Sequence, residues 1–200
     1  MIYLNLKDFI SKIRQAVREG GSFIAELGKS LDSVGISAGT AVVDKINWQP
    51  KWIIEKYPNT AAFKSGKPSE VLTLPGNMLL NEGINELLNL LIGGAAVAFS
   101  NANARIGVGD SNTAEAATQE DLQAATNKLY KPMDASYPQV SGQTVTFRAT
   151  FGPDDANWAW NEITADNGVT AAKNLNRKVQ VMGVKANPAI WVVNLAITIS

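Results

Sequence analysis

Trp191-Val-Val-Asn-Leu-Ala-Ile-Thr-Ile199 alternates from end to end. Trp191, Val193, Leu195, Ile197 and Ile199 fall on one side, and Val192, Asn194, Ala196 and Thr198 on the other. A period of two in a β-branched run is the mark of a half-buried strand. Upstream, Gln143–Phe151 repeats the pattern, with Val145, Phe147, Ala149 and Phe151 opposite Thr144, Thr146, Arg148 and Thr150. Arg105–Val108 and Lys178–Lys185 read as further strands, and Trp158, Trp160 and Glu162 share one face of another. Many short strands separated by turn residues predict an antiparallel β-sandwich or small barrel in the C-terminal half.

Toward the N-terminus the period changes. Leu79, Leu80, Ile84, Leu87, Leu88 and Leu91 recur at helical spacing, with Asn77 as a candidate cap and Gly93-Gly94 as a stop. Gly83 interrupts this helix at a cost of about 1 kcal/mol relative to Ala. Close approach of another backbone would account for it, and so would a tolerated defect. Thr118 and Asp121 are placed to cap a short helix ending near Ala125. Leu6, Phe9, Ile10, Ile13, Ala16 and Val17 predict an amphipathic helix ended by Gly20-Gly21, and Phe23, Ile24, Leu27 and Leu31 a shorter one. Residues 35–76 are punctuated by Gly and Pro and read as extended and irregular, with short strands around Thr40–Val43 and Val71–Leu74.

The expected fold is therefore α+β. Residues 1–75 form a helical and extended docking arm. Residues 76–200 form the β-rich domain, led by a helix at about 77–92. The arm's partner-facing residues are expected to be Phe9, Ile13, Val17, Trp48, Trp52 and Tyr57, because aromatic anchors are enriched at binding hot spots. The competing view is that these stripes fold back on the chain's own core.

Composition narrows the chemistry. The chain has 46% hydrophobic and 18% charged residues, enough to bury a core. Its 18 basic and 18 acidic side chains cancel, so no broad basic field exists for phosphate-driven nucleic-acid binding. There is no Cys and no His, which removes disulfides, thiolate or imidazole metal sites and Ser-His-Asp hydrolysis. The most apolar stretch, Met78 to Val97, is broken by Asn81, Glu82, Asn85, Glu86 and Asn89, a poor membrane span. No catalytic, cofactor or metal residue is expected.

Three constellations remain. Gly107-Val-Gly109-Asp110 lacks the third glycine of a dinucleotide loop and the lysine of a P-loop, and reads as a strand end with glycines for close approach. The acids at Asp110, Glu115, Glu120, Asp121, Asp154, Asp155 and Glu162 read as caps, turns and solvated positions. Arg177 is expected to form a salt bridge with Glu162. Trp158 and Trp160 are either packed residues or platforms for stacking a sugar.

Gly76-Asn-Met-Leu-Leu-Asn-Glu-Gly83, Asn103-Ala-Arg-Ile-Gly-Val-Gly-Asp110, Arg148-Ala-Thr-Phe151, Ala156-Asn-Trp-Ala-Trp-Asn-Glu162, Leu175-Asn-Arg-Lys178 and the strand from Trp191 form a set. Over about residues 70–200 this set resembles bacteriophage virion-associated structural proteins. The Gly-Val-Gly-Asp piece is loosely similar to tail-collar fibre proteins. The resemblance implies a virion component, assembled in the host cytoplasm, without an assigned reaction. Its partners would be other virion proteins of the capsid or tail and copies of itself, with neither nucleic acid nor membrane. Capsid decoration (cement) or a head or neck fibre is the first expectation. A tail-fibre or baseplate adaptor is the second, and a carbohydrate-binding module the third.

Overall fold

A computed structural model describes residues 46–168 and 170–200. The two N-terminal helices, the strand around Thr40–Val43, and the docking positions Phe9, Ile13 and Val17 lie outside the described residues. The elements are β1 (Trp48–Tyr57), a short α1 (Thr60–Lys64), β2 (Glu70–Pro75), β3 (Met78–Leu79), α2 (Asn81–Leu91), β4 (Arg105–Gly109) and β5 (Lys128–Pro132). They continue with β6 (Gln139–Ser141), β7 (Thr144–Phe151), β8 (Ala159–Asp166), β9 (Asn174–Val184) and β10 (Ile190–Ile199).

The strands form two five-stranded sheets, ordered β2-β1-β10-β7-β6 and β3-β9-β8-β4-β5. Every pairing is antiparallel. One apolar cluster draws on both sheets, joining Trp52, Phe147, Phe151, Trp191 and Leu195 to Ile106, Trp160, Ile163 and Leu175. The expected sandwich is thus present. β10 lies at the centre of its sheet, with Leu195 opposite Trp52 of β1 and Phe147 of β7. Its inward residues Trp191, Val193, Leu195 and Ile197 are buried as the alternation requires, whereas Ile199 at the strand end is exposed. Val192, on the other side, is buried too, against Tyr57, Ile190 and the Ala62 and Phe63 of α1.

The boundary expected at residue 75 is displaced. Residues 46–200 form one compact unit, and residues 48–75 supply two strands of the first sheet. Trp52 is completely buried, Tyr57 is buried edge-on to Phe63, and Trp48 packs partly buried against the core. Trp52 and Tyr57, expected on a docking arm, are core residues, and Trp48 packs at the core's edge. Pro50 was the misleading signal, since Pro is excluded from central strands. The Pro50 carbonyl accepts from the Gly76 N–H at 3.0 Å. In an antiparallel strand a residue's N and C=O face the same neighbour. The missing N–H therefore points past the end of the β1–β2 ladder, which begins at Lys51.

The leading helix also differs from expectation. It begins at Asn81, after Met78 and Leu79 have paired with Arg177 and Asn176 of β9. Asn77 does not cap it; Leu80 occupies the cap position without a side-chain bond. Gly83 and Glu86 are its buried residues, whereas Ile84, Leu88 and Leu91 of the expected core stripe are exposed. Gly83 is the cause. A Cβ there would collide with the Leu175 carbonyl and sit 2.7 Å from Leu175 Cα. The helix backbone thus lies directly on β9; Leu87 still packs against the core, while Ile84, Leu88 and Leu91 are turned outward.

Candidate functional site

Residues 110–127 connect β4 to β5 without regular structure, so the short helix expected between Thr118 and Ala125 does not form. Side chains from β8 and β9 hold this connection instead. Glu162 and Arg177 are both completely buried. Arg177 Nε and Nη2 donate to Glu162 Oε2 at 2.8 and 2.7 Å, making the salt bridge expected from the sequence. Glu162 also accepts the Gln123 and Ala124 backbone N–H groups at 2.9 and 2.7 Å. The rest of the guanidinium donates to Gln119 Oε1 at 2.9 Å and to the Thr113 carbonyl at 2.9 Å. Glu115 reaches back to accept the Val179 N–H at 2.6 Å.

Both glycines of Gly107-Val-Gly109 serve close approach. A side chain at Gly107 would enter the Tyr130 ring, and one at Gly109 would enter the Glu162 carboxylate. The Glu162 oxygens receive four donors, and a carboxylate has about four acceptor directions. Three of these donors fall on Oε2 and one, the Ala124 N–H, on Oε1, so the carboxylate is held from within. Asp121, on the same connection, accepts from Lys128 Nζ, Tyr130 Oη and the Leu122 N–H. Burial pushes its carboxyl up, but those donors outweigh burial and hold it below its ordinary value. The same burial and the Asp121 contact push the Tyr130 phenol well up.

Between α2 and this connection lies a groove of about 420 Å³, lined by Asn81, Glu82, Asn85, Asn89, Gln119 and Lys173 among others. Glu82 Oε1 accepts the Asn174 N–H at 2.7 Å, and Oε2 lies 3.4 Å from Lys173 Nζ. Desolvation raises the Glu82 carboxyl despite these donors. Among the described residues, none of those lining the groove is aromatic. Among the described residues, no three acidic, His or Cys side chains are placed to hold a metal ion. Among the same residues, no helix is long and apolar enough to cross a membrane.

Trp158 and Trp160 do not form a joint platform. Trp160 is completely buried, with its ring 4.7 Å from Phe151 and 4.6 Å from Trp191. Its indole N–H donates to the Ala156 carbonyl at 2.9 Å. A sugar cannot reach it. Trp158 is half-buried against the same core.

No family model matches the chain, and no curated protein or solved structure matches it.

The sequence did not single out Lys185 or Asn174. Lys185 is buried and donates to the Gly152 carbonyl at 2.6 Å and Asn157 Oδ1 at 3.1 Å, tying the β7–β8 turn to the end of β9. Burial lowers the Lys185 pKa. Asn174 bridges Glu82, the Glu120 carbonyl at 2.8 Å and Thr164 Oγ1 at 3.0 Å. Polar residues inside a strand carry no periodicity that would reveal such partners in sequence.

Proposed function

We propose that this chain is a non-enzymatic structural component of a bacteriophage virion, displayed on the particle surface as capsid decoration or as a head or neck fibre. One observation carries the reading. The stretches that resemble virion proteins meet in a single internal construction. Gly83 lies on Leu175, Gly109 on Glu162, and Glu162 on Arg177, while Trp160 meets Phe151 edge-on in the core. A signature of that kind specifies a fold that must hold its shape. A reaction centre would instead leave acids and bases open toward a cleft.

The N-terminal docking arm keeps its place in this proposal with a new boundary. Residues 1–45 are the candidate attachment segment, and residues 46–200 the body. A carbohydrate-binding role is less favoured, because Trp160 is sealed in the core. A tail-fibre or baseplate adaptor remains the second reading of the same construction.

Mass spectrometry of purified particles, with copy number, tests the proposal. Hundreds of copies per particle support decoration, and a dozen or fewer support neck or tail. Absence from particles that infect normally would overturn the virion reading. Deleting residues 1–45 tests the arm: the remainder should melt cooperatively yet fail to join the particle. Deleting residues 1–70 should abolish folding, because it removes β1 from beside β10.

A further inference from the structure

The groove between α2 and the 110–127 connection contains one oxygen whose hydrogen-bonding capacity is unmet. The Glu82 side chain is only 9% exposed, and its Oε1 accepts the Asn174 N–H at 2.7 Å. Its Oε2 has no hydrogen-bond partner. The ion pair of Glu82 is with Lys173, whose Nζ stands 3.4 Å from Oε2 on a side chain that is 42% exposed. A buried carboxylate oxygen left in this state costs stability until a donor reaches it. Glu86 and Glu120 line the same groove, so three carboxylates stand against one ammonium. Glu86 Oε1 is already taken by the Val97 N–H at 2.6 Å and Asn167 at 2.8 Å, whereas Glu120 is exposed. Asn81, Asn85 and Asn89 lie four residues apart on α2 and give this wall a row of amides.

We propose that this groove binds an alkylammonium group from outside the chain, seated on Glu82 Oε2 in place of Lys173, with the amide row holding the ligand's remaining polar atoms. Three observations select this chemistry. The bare carboxylate oxygen can only accept, and an ammonium offers donors alone. The acids of the groove outnumber its bases, which favours a cation, yet among the described residues no three acids converge as a bare metal ion requires. Lys173 itself shows that an ammonium on a flexible carbon stem reaches this oxygen. Its 3.4 Å separation exceeds the roughly 2.7–2.9 Å of a charge-assisted bond, so it neutralises Glu82 only in part. An incoming ammonium, free of the backbone that tethers Lys173, can close that distance while the exposed lysine swings into water. The groove of about 420 Å³ has room for the stem. The inference stands without the virion reading.

Putrescine is the probe, titrated into the full chain at pH 7 and low salt, with binding read by calorimetry and by amide NMR shifts at residues 81–89. Butanediol is its neutral control. Putrescine should bind and butanediol should not. Glu82→Gln should weaken putrescine about tenfold or more, as loss of a charge-assisted bond requires. Lys173→Ala should tighten it, because the internal competitor is gone. The Tm of each variant checks that it folds. Glu86, Glu120 and Lys173 are the other charged groups lining the groove. Binding should weaken as pH falls through the Glu82 pKa, which desolvation holds above 4.5. Nα-acetyl-lysine amide separates the sources of the ammonium. Tighter binding than putrescine points to a lysine on a partner protein, and looser binding to a free small amine. No putrescine binding at about 10 mM would overturn the proposal. So would equal binding of butanediol, an affinity unchanged by Glu82→Gln, or weaker binding in Lys173→Ala.

Discussion

Replacing Arg177 by Met removes the positive half of a completely buried ion pair and keeps most of the side-chain volume. The variant leaves the Glu162 side chain in the core without its cationic partner, facing only the Gln123 and Ala124 N–H groups. Breaking a buried pair from one side costs about 3–5 kcal/mol. The Gln119 side chain and the Thr113 carbonyl lose a donor as well, at about 0.5–1.5 kcal/mol for each hydrogen bond. A loss of at least about 4 kcal/mol is a large part of the ~5–15 kcal/mol that holds a domain of this kind. Urea unfolding of the full chain should show it as a lower midpoint, and the Tm should fall by roughly 8–16 °C. Limited proteolysis should begin cutting between residues 110 and 127, because the pair anchors that connection. The double variant Arg177→Met with Glu162→Met should be no less stable than Arg177→Met alone, giving a coupling of about 2 kcal/mol or more. If Arg177→Met costs less than about 1 kcal/mol and leaves the connection protected, the ion pair does not hold it and the reasoning fails.

Gly83→Ala should destabilise by about 1–3 kcal/mol despite its better helix propensity, because the new methyl meets the Leu175 backbone; an unchanged or raised urea midpoint would refute the close packing. Glu82 and Asp121 should respond to pH with opposite signs. The folded pKa of Glu82 is raised above 4.5, so its ionisation costs stability as pH rises through that value; Glu82→Gln should be the more stable chain at pH 7 and lose its advantage below about pH 4. The folded pKa of Asp121 lies below 3.8, so its contribution is present above that value and fades as pH falls through the folded pKa; Asp121→Asn should be less stable at pH 7, with the difference narrowing as pH falls below 3.8. Thermal melts at both pH values decide each. Truncation before Pro188 removes β10 from the centre of its sheet and should yield insoluble protein, and a soluble truncate with a cooperative melt would contradict the strand order.

Sequence alone determined the sandwich and several of its strands. Period-two alternation in Gln143–Phe151 and Trp191–Ile199 depends only on which face meets the core, and that is written residue by residue. The Glu162–Arg177 pair was expected from the sequence as two opposite charges, but their complete burial was not. Only the tertiary structure decided the rest. Pro50 made β1 read as irregular, until the ladder showed that its missing N–H lies beyond the end of β2. Trp48, Trp52 and Tyr57 look the same in sequence whether they anchor a partner or fill a core; burial against β10 separates the two. The stripe of α2 was visible, but its direction was not. One glycine against the Leu175 backbone outweighed the apolar moment of the helix, because a close backbone approach fixes the rotation of a helix more firmly than the hydrophobicity of side chains left to face outward.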